Sequence, residues 1–117
     1  MLREIGFSKT HLKDLIDAIP VALFVKDCRS RLILMNKACE EQWGMSFADL
    51  YGTDASHGFP ADQMTWFLAK DREVFEGGRQ IEFVETIWNA RLNENRIGHT
   101  IKRPIYDVDG NPLYLIC

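Results

Sequence analysis

The sequence has no apolar run long enough to cross a bilayer. Its longest, residues 19–25, is broken by Pro20 and falls far short of the ~20 residues a spanning helix needs. Residues 1–7 lack the apolar core of an export signal, so neither insertion in nor passage through a membrane is expected. Cysteine is scarce and odd in number. Cys28, Cys39 and Cys117 form no Cys-x-x-Cys pair, which argues against a disulfide framework or a cysteine-rich zinc site and favours reduced thiols in the cytoplasm. There is no excess of positive charge either: 14 Lys and Arg stand against 17 acidic residues, for a formal net charge of −3. The basic residues are scattered from Arg3 to Arg103, so there is no footprint for a phosphate backbone and nucleic acid is not expected as a direct partner. Internal repeats and low-complexity stretches are lacking too.

Catalytic signatures are equally absent. No Ser/His/Asp order, phosphate loop, His-Glu-x-x-His or suitably spaced carboxylate pair occurs, so no catalytic or metal-ligating residue is assigned.

What is present suits one folded domain: 117 residues, 46% hydrophobic and 26% charged, the usage of an ordinary globular chain with a single core. Leu12, Leu15, Ile16 and Ile19 recur at i, i+3, i+4 and i+7, predicting an amphipathic helix that starts after Ser8 or Thr10 and ends before Pro20. Residues 21–25 and 32–35 read as short strands joined by the polar turn Lys26-Asp27-Cys28-Arg29-Ser30-Arg31. Asn36 is placed to cap a helix over residues 37–43, ended by Gly44, and Ser46-Phe47-Ala48-Asp49 carries the start signal of another, ended by Gly52. Residues 53–60 form a loop, after which Pro60 leads into the longest helix. Its stripe is Met64, Phe67, Leu68, Val74 and Phe75, with Asp71 in the middle, and Gly77-Gly78 stops it.

The rest is a meander: strands over residues 80–89, 96–106 and 112–117, turning near Asn93-Glu94-Asn95 and at Asp107-Val108-Asp109-Gly110-Asn111. Strands split by a helical block predict an α+β domain, a five-stranded antiparallel sheet with its helices on one face and the first strand beside the last.

Asp27-x-x-x-x-Leu32-x-x-x-Asn36-Lys37-Ala38, the long helix ending in Gly77-Gly78, and Arg103-Pro104-Ile105-Tyr106-Asp107-x-Asp109-Gly110 together resemble PAS domains. The likeness covers residues 10–117. It implies residues 20–117 as a sensory domain behind an N-terminal helix or linker, residues 1–19. It also implies a pocket between helices and sheet, homodimerisation, and a covalently linked C-terminal output domain in a bacterial-type signalling protein such as a diguanylate cyclase or histidine kinase. The stop at Leu115-Ile116-Cys117, inside an apolar strand, fits a piece cut from such a longer chain. Ser30 stands where the family often has glycine, which suffices if the turn needs no positive φ.

Flavin-binding relatives use a cysteine ahead of the long helix, and residues 52–58 hold none; haem-binding relatives take a histidine from the long helix, and residues 61–76 hold none. No cofactor is therefore expected, and the ligand is left as an unidentified small molecule.

Five residues are candidates for the pocket: Phe24, Phe67, Asp71, Trp88 and His99. Asp71 either forms a structural ion pair or reads a polar group of the ligand. The relation of Glu85 to His99 depends on the hairpin. Centred on Leu92, the turn sets Glu85 against His99; centred between Asn93 and Glu94, which the turn chemistry favours, it sets Glu85 against Lys102 and His99 against Trp88. Leu12, Leu15, Ile16 and Ile19 are candidates for a dimer contact. The competing reading is a ligand-free interaction module whose interior is filled by Phe24, Trp66, Phe67 and Trp88. A pocket enzyme using Asp71 or Glu85 with His99 is a third.

Overall fold

Two buried asparagines set the frame of the chain. In the computed structural model, which describes residues 9–117 and side chains from His11 onward, helix α1 (Lys9–Asp17) leads into strands β1 (Phe24–Asp27) and β2 (Leu32–Met35). Of the two caps considered for α1, Ser8 lies outside the described residues and Thr10 falls inside the helix. Asn36 then caps α2 (Lys37–Trp43) by accepting from the Cys39 amide at 3.0 Å. The same oxygen accepts from the Leu23 amide, and the amide group donates to the carbonyls of Ile16, Ile19 and Val21. A side chain thus satisfies backbone that would otherwise need a neighbouring strand, which is why β1 begins at Phe24 and not at Val21. The expected turn shortens accordingly, since Lys26 and Asp27 are strand residues.

Gly44 ends α2 in the left-handed region at φ 67°, where a Cβ would meet the Arg91 amide at 2.4 Å. The second asparagine, Asn89, donates to the Glu41 and Gln42 carbonyls at that helix end and accepts from the Arg91 and Leu92 amides. Helix α3 (Phe47–Leu50) is capped by Ser46, and α4 (Ala61–Gly77) runs from Pro60 to Gly78.

β3 (Ile81–Asn89), β4 (Glu94–Tyr106) and β5 (Pro112–Ile116) complete one antiparallel sheet in the order β2-β1-β5-β4-β3. The first strand does lie beside the last, as Val25 pairs with Ile116. Both expected β3–β4 registers are wrong. Because Asn89 pulls the chain into a turn at once and Asn93 adopts φ 57°, the hairpin centres between Arg91 and Leu92, with Glu85 opposite Gly98, His99 opposite Val84 and Lys102 opposite Ile81. Gly98 faces inward, where a Cβ would lie 2.6 Å from Ile87 Cδ1.

Helices cover the inner face, over a core of Leu32, Met35, Cys39, Trp43, Leu50, Phe59, Met64 and Ile87. The outer face of the β3–β4 ribbon leaves Val84, Ile97 and Ile101 exposed. Among the described side chains of α1 only Ile16 is buried, while Leu12 and Leu15, and Ile19 just after the helix, stay exposed. No helix among the described residues is long and apolar enough to cross a membrane.

Candidate functional site

Alternation along β1 sends Phe24 and Lys26 to the same, inner side of the sheet. Across β5, Lys102 reaches that side from β4. Both lysines are buried, at 4% and 2% relative exposure, and both meet Asp71 of α4, itself 1% exposed. Lys26 Nζ donates to Oδ2 and Lys102 Nζ to Oδ1, each at 2.9 Å, and Ser30 Oγ adds a third hydrogen bond to Oδ2 at 2.8 Å. Burial pushes the Asp71 carboxyl up, but the two ammonium groups outweigh it and hold its pKa below the ordinary aspartate value. Burial opposes the Lys102 ammonium too, yet Cys117 and Asp71 more than offset it and its pKa stands above the usual lysine value.

Ser30 reaches Asp71 from a left-handed backbone at φ 60°. The turn does need a positive φ, the condition under which glycine would be favoured there, and the hydrogen bond to a buried carboxylate offsets the strain.

Beside this cluster lies a cavity of about 240 Å³. Its walls come from β1 (Phe24, Lys26), α2 (Gln42, Trp43), the loop before α4 (Asp54, Ala55, Phe59), α4 (Met64, Phe67), β3 (Glu85, Ile87), β4 (Thr100, Lys102) and Cys117. Phe24, Trp43, Phe59 and Phe67 form a continuous series of edge-to-face contacts with ring centroids 4.7 to 5.2 Å apart. Glu85 accepts from Trp66 Nε1 at 3.1 Å and from Thr100 Oγ1. Hydrogen bonds from Ser56 hold the Asp54 carboxyl below its ordinary value, and burial pushes the Cys117 thiol up.

The five expected pocket residues are only partly together. Phe24 and Phe67 line the cavity. Asp71 stands behind it, with its oxygens taken by Lys26, Lys102 and Ser30. Trp88 is half-buried outside the cavity wall, its amide donating to Gln63 Oε1. His99 lends its strand segment to the wall, but its side chain is exposed and pairs with Glu82 at 3.3 Å. Glu85 and His99 therefore lie on opposite sides of the sheet, and no acid–base pair forms.

The sequence and fold match a known family. A family model described as PAS fold matches residues 16–117. The chain belongs to the PAS fold family.

Solved structures agree on this PAS fold. The Vibrio cholerae VqmA in its ligand–DNA complex superimposes with TM-score 0.76 at 23% identity, over 95% of this chain and 50% of that one. The Rhodobacter sphaeroides LOV protein gives 0.71 at 19%, over 90% and 62%. The PAS domain of Bordetella pertussis BvgS gives 0.59 at 18%, over 92% and 78%. This PAS chain thus spans about half to three-quarters of these neighbours. No curated protein matches.

The residues do not fit the cofactors of the light- and haem-binding branches. Cys28 is exposed in the β1–β2 turn, Cys39 is in the core away from the cavity wall, and Cys117 enters from β5 rather than from the segment before α4. The buried residues of α4 are Gln63, Met64, Asp71 and Val74, its cavity-lining residues are Met64 and Phe67, and His57 is exposed in the loop. Among the described residues no cluster of His, Cys, Asp or Glu is arranged for a metal.

Sequence reasoning missed Lys26, Lys102, Trp43 and Phe59. A signal for Lys26 existed, since it alternates in phase with Phe24. For Lys102 the phase misleads, because the apolar residues of β4, Ile97 and Ile101, face outward.

Proposed function

We propose that the domain is the sensory part of a multidomain signalling protein, that it takes a small molecule in the cavity between α4 and the sheet, and that it relays occupancy to an output domain. The observation that carries this is the cavity itself, walled by buried lysines and four aromatic rings, where an interaction module would have filled the space. The residues expected to fill it do not all do so: Trp66 lies outside the cavity wall, hydrogen-bonded to Glu85 and 43% exposed. Cys117 follows the central strand β5 and touches the cavity, which supports a signal leaving through that strand. The output is a diguanylate cyclase, a histidine kinase or a DNA-binding domain. The test is native mass spectrometry of the protein purified from its own source. A small non-covalent adduct lost on denaturation is expected; the bare mass, unchanged after incubation with a cell extract, overturns the reading.

A second role is compatible with the first. Val84, Ile97 and Ile101 on the outer face, and Leu12, Leu15 and Ile19 on and just after α1, are exposed apolar surfaces that favour a cytoplasmic homodimer.

A further inference from the structure

Two buried ammonium groups share a single carboxylate beside the cavity. Lys26 and Lys102 each donate to one oxygen of Asp71, so the cluster keeps one positive charge in excess. An ammonium has three donors. Among the described residues Lys26 makes one hydrogen bond, to Asp71, and Lys102 makes two, to Asp71 and, at 3.5 Å, to Cys117 Sγ. Three of six donors remain for whatever occupies the cavity both side chains line. The other carboxylates of the wall keep their charge but take their hydrogen bonds from other groups, Glu85 from Trp66 and Thr100 and Asp54 from Ser56, and leave these lysine donors unfilled. A buried ammonium donor without an acceptor is unfavourable, and a charge-assisted hydrogen bond to a ligand oxygen is the strongest way to fill it.

We infer that the ligand is a small monocarboxylate with an apolar ring or chain, its two oxygens bridging Lys26 and Lys102 from the cavity side as Asp71 bridges them from α4. Asp71 shows that the two ammonium groups are spaced for one carboxylate. The body of such a ligand meets Phe24, Trp43, Phe59 and Phe67, whose rings supply dispersion without further polar demands. At ~30 Å³ per water, the cavity's 240 Å³ corresponds to about eight waters, which limits the ligand to a single ring or a short chain.

The inference rests on the reading of the cavity as a ligand site, and three probes separate the two. Benzoate carries the carboxylate, benzamide replaces it with a neutral group of the same shape, and toluene carries only the ring. Binding is followed by tryptophan fluorescence, to which Trp43 in the wall contributes, and by amide shifts of Lys26, Lys102 and Cys117 in nuclear magnetic resonance. Benzoate is expected to bind about tenfold more tightly than benzamide, the difference between charged and neutral hydrogen bonds. Lys102→Met should erase that preference while leaving toluene bound. If Lys102→Met does not fold, the comparison in the native chain decides alone. Benzamide binding as tightly as benzoate, with toluene also bound, overturns the carboxylate and leaves the cavity reading standing. No shift with any of the three overturns both.

Discussion

Ser30 Oγ donates to Asp71 Oδ2 at 2.8 Å across 41 positions of sequence, and it does so from a backbone φ of 60°. Strain and hydrogen bond oppose each other at this one residue. Ser30→Gly removes both, whereas Ser30→Ala keeps the strain and loses only the bond. A left-handed non-glycine residue is strained by about 1 kcal/mol or more, and a hydrogen bond to a charged group contributes about 1.5 to 3 kcal/mol. Chemical denaturation should therefore rank native above Ser30→Gly above Ser30→Ala. An alanine variant as stable as the glycine one would show that the turn is unstrained.

Asp71→Asn leaves Lys26 and Lys102 buried without their counter-charge and should destabilise the domain by roughly 3 to 5 kcal/mol. The sign with pH follows from the depressed pKa of Asp71. Its contribution is fully present above the ordinary aspartate range of about 3.9, and it is lost as pH falls through the lower folded value. The native chain should therefore lose stability on acidification below about pH 4, and Asp71→Asn should lose less over the same window. Parallel acid titrations of the two chains would contradict the assignment.

Asn36 makes five hydrogen bonds from a fully buried position, only one of them a helix cap. A cap alone is worth ~1 kcal/mol, and each buried group left without a partner adds about 1 kcal/mol or more. Asn36→Ala is expected to lower stability by at least about 2 kcal/mol. A loss no larger than a simple cap, read from urea denaturation, would mean that water replaces the side chain.

Leu12 and Leu15 are exposed on α1 while Ile16 beside them is 7% exposed. Asp at both leucines should lower the dimer fraction in analytical ultracentrifugation without changing far-ultraviolet circular dichroism. Ile16→Asp should instead unfold the N-terminal contact with α2. A dimer untouched by the double leucine change moves the interface to Val84, Ile97 and Ile101 on the outer sheet face.

The purified domain is expected to be colourless, because residues 52–58, just ahead of α4, hold no thiol and α4 itself holds no histidine. A visible band that survives gel filtration would require a cofactor held by other residues.

Local chemistry in the sequence was enough for most of the fold. Asn36, Gly44, Ser46, Pro60 and the Gly77-Gly78 pair mark helix ends through contacts within a few residues, so α2, α3 and α4 fall where the pattern sets them. The turn at Asp107-Val108-Asp109-Gly110-Asn111 is equally local, since Asp107 Oδ1 accepts from the Asp109 and Asn111 amides. The order of strands followed from counting those before and after the helices.

The site was legible only in part. Phe24 and Phe67 were found through periodicity, but which face of a strand turns inward depends on what packs against it. In β4 the usual rule is inverted: Gly98, Thr100 and Lys102 face the helices while Ile97 and Ile101 face out. The β3–β4 register turned on Asn89, whose side chain is held by the end of α2, 47 and 48 positions away. The joining of Lys26, Lys102 and Asp71 was likewise a tertiary matter. A buried charge is tolerable only where distant elements bring its partners within hydrogen-bonding distance, and no local pattern along the chain encodes that meeting.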